Sequence, residues 1–448
     1  MNKVRFTFQR IQQASLILMA GRLSANAVGF VKSLLIAAYY GTSAELDVYV
    51  LSLAPFRLVS GVLLGSIQAA FIPRYLDLIS RKGKQQAWTM FLTFLCCMML
   101  GTGFVSIMLI LGSPFIAEYL GAGFTAHQVE FTESLLKLSA LVLIFNMLGE
   151  TGRYVFSAHK RFVLSAFIPL LSIIVSLGYL LYYHIIGVSA LMYGLILGML
   201  VQGLVIMYLL RRFYAEERLT LFSPFHPEIQ QTIRVMMPLL IGTAFAHANI
   251  VIDQMMASTL PGGSIASLHY AVKLHSLFSQ VFIMAVSRAA LPFFAQQSAE
   301  HAIDALKETF LLTGKRMLYI LLPISVCILV FGEPIIRLLF QRGAFNSYST
   351  SATAGAWMAY AIGLPVQAIG ILTARVYNAL QENKTLMYVS GGSVILNILF
   401  NWIFMKPWGH VGIALSTSGV YTVTTVVLLS ILRKKLRGYA ASTATIHE

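Results

Sequence analysis

Three cations lie deep in apolar sequence, Lys32, Arg57 and Lys273, and Arg22 lies about a third of the way into the same run as Lys32. A Lys or Arg at mid-depth in a bilayer costs about 2.5–3.5 kcal/mol on insertion scales. Such residues need an anion to justify them. The Arg fork and the Lys point charge both suit phosphate oxygens. The chemistry indicated is therefore recognition of a multiply anionic group such as a diphosphate. Polar residues recur around these cations at helical spacing. Ser15, Arg22, Asn26, Gly29 and Ser33 share one face, and Asp47, Ala54, Arg57, Gly61 and Gln68 share another. His269, Lys273, Ser276, Gln280 and Ser287 form a third stripe, and Ser390, Ser393, Asn397 and Asn401 a fourth. Small and amide residues alone would also serve helix packing. Stripes centred on Arg57 or Lys273 read as walls of a water-filled cavity. A cationic cargo would call for buried carboxylates instead, and the membrane candidates are Asp253 and Glu150, the latter three residues from Arg153.

The elements that must hold these side chains are membrane helices. The chain has 448 residues, 58% hydrophobic and 11% charged, with mean hydropathy +0.77. Soluble domains are not composed this way. Apolar runs of about 20 residues match a hydrocarbon core of about 30 Å, whereas a transmembrane barrel would show short alternating segments. The first run is too long for a signal-peptide core. The spans predicted are 15–40, 47–72, 88–111, 132–156, 163–181, 188–210, 235–256, 265–294, 317–331, 351–377, 386–404 and 412–432. Alternate connections and both tails carry twenty-one Lys and Arg, against three in the remaining connections. Both termini are therefore expected in the cytoplasm. The net charge of +15 reads as this topological signal with anionic-lipid contact, and not as nucleic-acid binding. Lys137, Arg153, Arg288 and Arg375 lie near span ends, where they can snorkel. The three cysteines fall in apolar runs, without disulfide or metal spacing. The sequence contains no phosphate-binding G-x-x-x-x-G-K-[ST] loop and no H-E-x-x-H. The expectation is a transporter and not an enzyme, with no cofactor beyond Na+ or H+ as a coupling ion.

The chain also repeats itself. Gly112-Ser113-Pro114-Phe115-Ile116 aligns with Gly332-Glu333-Pro334-Ile335-Ile336 at an offset of 220. Ala70-Phe71-Ile72-Pro73 aligns with Ala289-Ala290-Leu291-Pro292 at 219, and Gly21 with Gly242 at 221. Six spans per half give both halves one orientation, a parallel repeat. The domains expected are an N-terminal lobe over 1–215, a cytoplasmic linker over 216–234 and a C-terminal lobe over 235–448. The fold class is an all-α polytopic membrane protein, its two six-helix lobes forming a V-shaped central cavity.

Several segments resemble the MurJ/MviN family of lipid II flippases, within the multidrug/oligosaccharidyl-lipid/polysaccharide exporter superfamily. They include Gly41-(x5)-Asp47-(x7)-Pro55, Leu268-His269-Tyr270-Ala271-Val272-Lys273-Leu274, Leu339-Phe340-Gln341-Arg342-Gly343-Ala344-Phe345 and Gly409-His410-Val411-Gly412-Ile413-Ala414-Leu415-Ser416. The resemblance implies alternating access, with an undecaprenyl-diphosphate-linked glycan crossing a bacterial inner membrane. It implies that Arg57, Lys273, Lys32 and Arg22 engage the diphosphate, with Asn26 and Gln280 beside them. Asn26 stands where the family has a second first-helix Arg, and Lys273 where it has an Arg. Asp47 matches the hairpin acid and is expected to gate. Some members are thought to use a cation, for which Asp253, Asn397, Asn401 and Thr417 are the matching candidates. Typical members have fourteen helices, while twelve are read here. The expected partners are the lipid-linked glycan, membrane lipids and the enzymes of cell-wall or polysaccharide synthesis. The alternative reading is a cation-coupled exporter of drugs or small amphiphiles from the same superfamily.

Overall fold

In hydrocarbon every backbone N–H and C=O must find a partner within its own segment, and the chain meets this with helices. The computed structural model describes residues 2–223 and 225–444, with their side chains except those of 2–19, 22, 246 and 438–444. Among the described residues there is no strand, and ten helical runs are long and apolar enough to cross a membrane. The all-α polytopic expectation therefore holds.

Contacts divide the chain into two units. The first comprises Met1–Tyr40 and Val48–His247, and the second Gly41–Asp47 and Ala248–Glu448. The boundary thus falls inside a helix, α9 (Pro227–Ala257), and the turn after α1 (Asn2–Tyr40) belongs to the second unit. The helix α2 (Ala44–Ser52) is shared in the same way.

The first unit is completed by α3 (Ala54–Leu111), α4 (Ser113–Leu120), α5 (Ala126–Ala158), α6 (Phe162–Tyr179), α7 (Tyr183–Ile186) and α8 (Ser189–Phe213). Helix α5 packs on α3 and α8, and α6 on α8 and α1. Phe71, Tyr75, Trp88, Phe91 and Phe94 form the core with Met147, Phe156 and Tyr214. The second unit contains α10 (Ser264–Phe278), α11 (Ala285–Ala299), α12 (Ile303–Phe340), α13 (Ser347–Ala379) and α14 (Asn383–Ala444). Here α13 is central, touching α10, α11, α12 and α14. Its small residues admit α14 closely, with Gly363 against Ser418 and Gly370 against Thr425, as apolar-phase helix packing favours.

Helices α3 and α14 have 58 and 62 residues, far more than the 20 or so that one crossing needs. Each contains one residue with non-helical backbone, Gly83 in α3 and Gly409 in α14. Three differences from the predicted spans have local causes. The span 47–72 is split at Leu53, because Pro55 at the start of α3 lacks the N–H that would continue the previous turn. The span 317–331 is part of a helix running from Ile303 to Phe340, with Pro323 and Pro334 inside it. The repeat is not copied locally at its glycines: Gly112 separates α3 from α4, whereas Gly332 is interior to α12.

Beyond the end of α8 the chain is pinned to α3. Gln85 accepts from the Arg218 N–H at 2.8 Å, Thr93 Oγ1 accepts from the Phe222 N–H at 2.7 Å, and Glu228 pairs with Arg74 at 3.0 Å. His159 Nε2 lies 3.0 Å from the Tyr75 hydroxyl, and the Tyr214 hydroxyl bonds to both. Burial first, then Lys84 and Arg161, push the His159 imidazole pKa below its ordinary value. The folded state thus prefers neutral His159. Its contribution is complete above the unfolded pKa of about 6.5 and is lost as pH falls through that value toward the folded one. Thermal midpoints measured from pH 7.5 to 5 should fall more steeply for the native chain than for His159→Gln. Parallel curves would show that the imidazole proton is not linked to folding.

Candidate functional site

Asp47 is 2% exposed, and both of its carboxylate oxygens are occupied. Oδ2 accepts from the Gly263 N–H and Oδ1 from the Ala266 N–H, each at 2.6 Å. These donors open α10, whose first N–H groups have no partner within the helix. The carboxylate also meets the positive end of the helix dipole. It therefore caps α10 from 216 residues away. The turn is held at further points: the Tyr270 hydroxyl donates to the Gly41 carbonyl at 3.2 Å, and Thr42 and Ser349 share a hydrogen bond of 2.7 Å. Gly263 has φ +92°, and a Cβ there would meet the Thr42 carbonyl oxygen at 2.3 Å. Only glycine satisfies both conditions.

Lys273 lies half-buried two turns along α10, and Ser276 Oγ donates to its carbonyl at 2.8 Å. Beyond Phe278 the backbone becomes a π-helix over Ser279–Met284. The wider turn breaks the 3.6-residue spacing, so Ser287, beyond the whole segment, does not continue the α-helical face of Lys273. Gln280 is exposed. This π segment has no signature in residue type, yet such segments frequently mark functional sites. Next to it, His275 Nε2 lies 3.1 Å from Gln367 Oε1, a pair the stripes did not single out.

In the first unit, Arg57 stands in the first turn of α3, directly after the break made by Pro55, and is half-buried with Tyr49 in electrostatic reach. Asn146 Nδ2 donates to Ser60 Oγ at 2.7 Å on the neighbouring turn. Lys32 Nζ donates to Ser176 Oγ of α6 at 2.8 Å. Asn26 is half-buried on the same helix. The side chain of Arg22 lies outside the described residues.

Asp253, Asn397, Asn401 and Thr417 do converge. Asp253 Oδ1 accepts from Asn397 Nδ2 at 2.9 Å and Asn401 Nδ2 at 2.8 Å, and the Thr417 hydroxyl bonds to the same carboxylate. Asn401 Oδ1 is buried without a hydrogen-bond partner, as are Asn249 Oδ1 and Gln254 Oε1 on α9. The amides thus turn their N–H groups to the carboxylate, while carboxylate, hydroxyl and amide oxygens are the atom types that a hard cation takes. Asp253 and Asn397 are 144 residues apart, as are Lys32 and Ser176. The two contacts therefore occupy equivalent places in the repeat with opposite charge.

The sequence matches the family model described as lipid II flippase MurJ over residues 36–447. Similar curated proteins include the probable lipid II flippase MurJ of Vibrio cholerae, 24% identical over 92% of this chain and 80% of that protein. That of Haemophilus influenzae is 27% identical over 92% of this chain and 84% of its own length. Among solved structures, lipid II flippase MurJ in an inward closed conformation superposes with TM-score 0.81 at 22% identity, covering 96% of this chain and 91% of that one. An inward-facing MATE family multidrug resistance transporter superposes with TM-score 0.79 at 14% identity, covering 93% and 96%. At these identities the two structures speak for the fold alone.

The cap makes a separable prediction. Asp47→Asn should cost about 1–2 kcal/mol of stability. Gly263→Ala should cost about 1–3 kcal/mol, while Gly242→Ala, where a Cβ meets nothing within 4 Å, should be neutral or stabilising. Denaturation of the purified variants checks this. Equal midpoints for all three would refute the cap.

Proposed function

The chain belongs to the lipid II flippase MurJ family and is a flippase of lipid-linked glycans; we propose that it carries an undecaprenyl-diphosphate-linked glycan across a bacterial inner membrane by alternating access. Family membership over 36–447 carries the reading. Counting α3 and α14 as two crossings each turns ten spans into twelve, and the bias of Lys and Arg supports cytoplasmic termini. The lobes 1–215 and 235–448, joined by the linker 216–234, are the moving bodies of this proposal.

Arg57, Lys273, Lys32 and Arg22 engage the diphosphate, assisted by Asn26 and Gln280. Lys32 donates to Ser176 and Arg57 lies in electrostatic reach of Tyr49, so a hydroxyl helps to hold each side chain in place. An anionic cargo meets charge already oriented toward it, which favours binding of its phosphates over neutral lipid. Asp47 acts as the gate: releasing α10 would expose two backbone N–H groups and a carboxylate, so the capped state is strongly preferred until cargo or ion contacts compensate. Peptidoglycan precursor lipid II and related lipid-linked oligosaccharides share the required diphosphate. Enzymes of cell-wall or polysaccharide synthesis are the partners that supply and consume such a cargo.

Asp253, Asn401 and Thr417 would hold a coupling cation, Na+ or H+, which would supply an energy source by coupling its entry to reorganisation of α9 and α14. The same oxygen-rich cluster favours the second reading, a cation-coupled exporter of small amphiphiles, in which Asp253 and not Arg57 is indispensable.

Two measurements test these roles. Arg57→Gln with Lys273→Gln should abolish complementation of a flippase-depleted strain at unchanged membrane abundance. Growth of that double variant would exclude the diphosphate role. Replacing choline by Na+ at constant ionic strength should raise the thermal midpoint of the native chain but not of Asp253→Asn. A shift that survives in Asp253→Asn would remove Na+ from this site.

A further inference from the structure

A groove on the second unit has a composition that the flippase chemistry does not use. It encloses about 690 Å³ between the beginning of α12 and the end of α14. Its floor is apolar, formed by Phe310, Leu311, Leu318, Ile369, Leu429 and Leu432. Gly314 faces it without a side chain and keeps α12 close to Ile369. Four cations line it: Lys307 and Lys315 from α12, and Arg433 and Arg437 from α14. Among the described residues no acidic one lines it, although Lys307 also reaches Asp304 at 2.8 Å. Lys315 lies over the Tyr319 ring, 5.8 Å from its centre.

Lys307 lies one turn inside the start of α12, and Arg433 and Arg437 lie on the last part of α14. Lys307 and Lys315 are separated by about 12 Å along the axis and Arg433 and Arg437 by about 6 Å. The cations therefore run along one side of the apolar trough, with Leu318 and Leu429 beyond them. A lone Lys or Arg at a span end is ordinary snorkelling. Two pairs from two helices, converging on a cavity large enough for a small ligand, make a headgroup site with an acyl-chain channel below it.

We propose that this groove binds an anionic glycerophospholipid, its phosphodiester against Lys307, Lys315, Arg433 and Arg437 and one acyl chain along Leu311, Leu318 and Leu429. Charge complementarity selects the anionic headgroup, since the ammonium of a zwitterionic lipid is repelled by the same cations that attract its phosphodiester. The positive-inside bias assigns the groove to the inner leaflet. The site is independent of the cargo, because none of its residues is among those proposed to contact the diphosphate.

The test is native mass spectrometry of the purified full chain with equal phosphatidylglycerol and phosphatidylcholine. The native protein should retain phosphatidylglycerol preferentially. Each Gln substitution at Lys307, Lys315, Arg433 or Arg437 should weaken that retention about fivefold, and the quadruple variant should lose the preference. A control bearing Arg81→Gln, Arg212→Gln and Lys434→Gln removes charge elsewhere and should keep it. Leu429→Trp fills the trough at unchanged charge and should release one phosphatidylglycerol. Equal losses in the control and quadruple variants would overturn the site in favour of diffuse attraction. Unchanged retention in both the quadruple and the Trp variants would also overturn it. Loss of added undecaprenyl diphosphate in place of phosphatidylglycerol would reassign the groove to the cargo.

Discussion

The interaction on which the second unit depends is a carboxylate against two backbone N–H groups. Without Asp47 the first turn of α10 would present unpaired donors in a setting where each costs several kcal/mol. The chain supplies the acceptor from a turn lying more than two hundred residues earlier in sequence. That turn is consequently part of the second unit, although α1 before it and the rest of α2 after Asp47 belong to the first. Gly41 and Gly263 serve the same junction. Each has positive φ, and at each a Cβ would run into a carbonyl, of Ala344 and Thr42 respectively. A cap of this kind is strong when closed and entirely lost when opened, which suits an element with two discrete states better than one that deforms gradually.

The deep cations follow a different rule. Glu150 and Arg153 neutralise each other on one face of α5, and so do Glu133 and Lys137. Lys32 also has a hydroxyl neighbour, Ser176, and Arg57 lies near Tyr49. The Lys32 contact was not visible in sequence, because Ser176 lies on a different helix and belongs to no stripe.

What the sequence made legible was everything that depends on composition and period. Apolar runs gave the helices, and the Glu150–Arg153 pair came from i, i+3 spacing. The convergence of Asp253, Asn397, Asn401 and Thr417 came from the resemblance, since periodicity shows faces of single helices and not which helices meet. The missed features arise where backbone geometry departs from a regular α-helix. The π segment at Ser279–Met284 shifts Ser287 off its stripe, and no residue type announces it. The split at Leu53 was announced by Pro55, but within a continuous apolar run the break is hidden by hydropathy. The network of Tyr75, His159 and Tyr214 joins three separate elements, so no local pattern contains it. The unit boundary inside α9 is likewise a property of packing: Ile229 and Met236 are core residues of the first unit, whereas Asn249 already bonds to Ser393 of the second.

The duplication now acquires chemical content. Gly21 aligns with Gly242 at an offset of 221, and the same offset takes Lys32 to Asp253 and Ser176 to Asn397. The two resulting contacts have identical sequence separation and similar length, 2.8 Å and 2.9 Å. One ancestral helix pair thus presents an ammonium in the first unit and a carboxylate in the second. Asn401 and Thr417, which also bond to Asp253, correspond at that offset to Leu180 and Ile196. The repeat therefore supplies one scaffold twice with different polar contacts, a basic side chain on a hydroxyl in the first unit and an acidic one on two amides in the second.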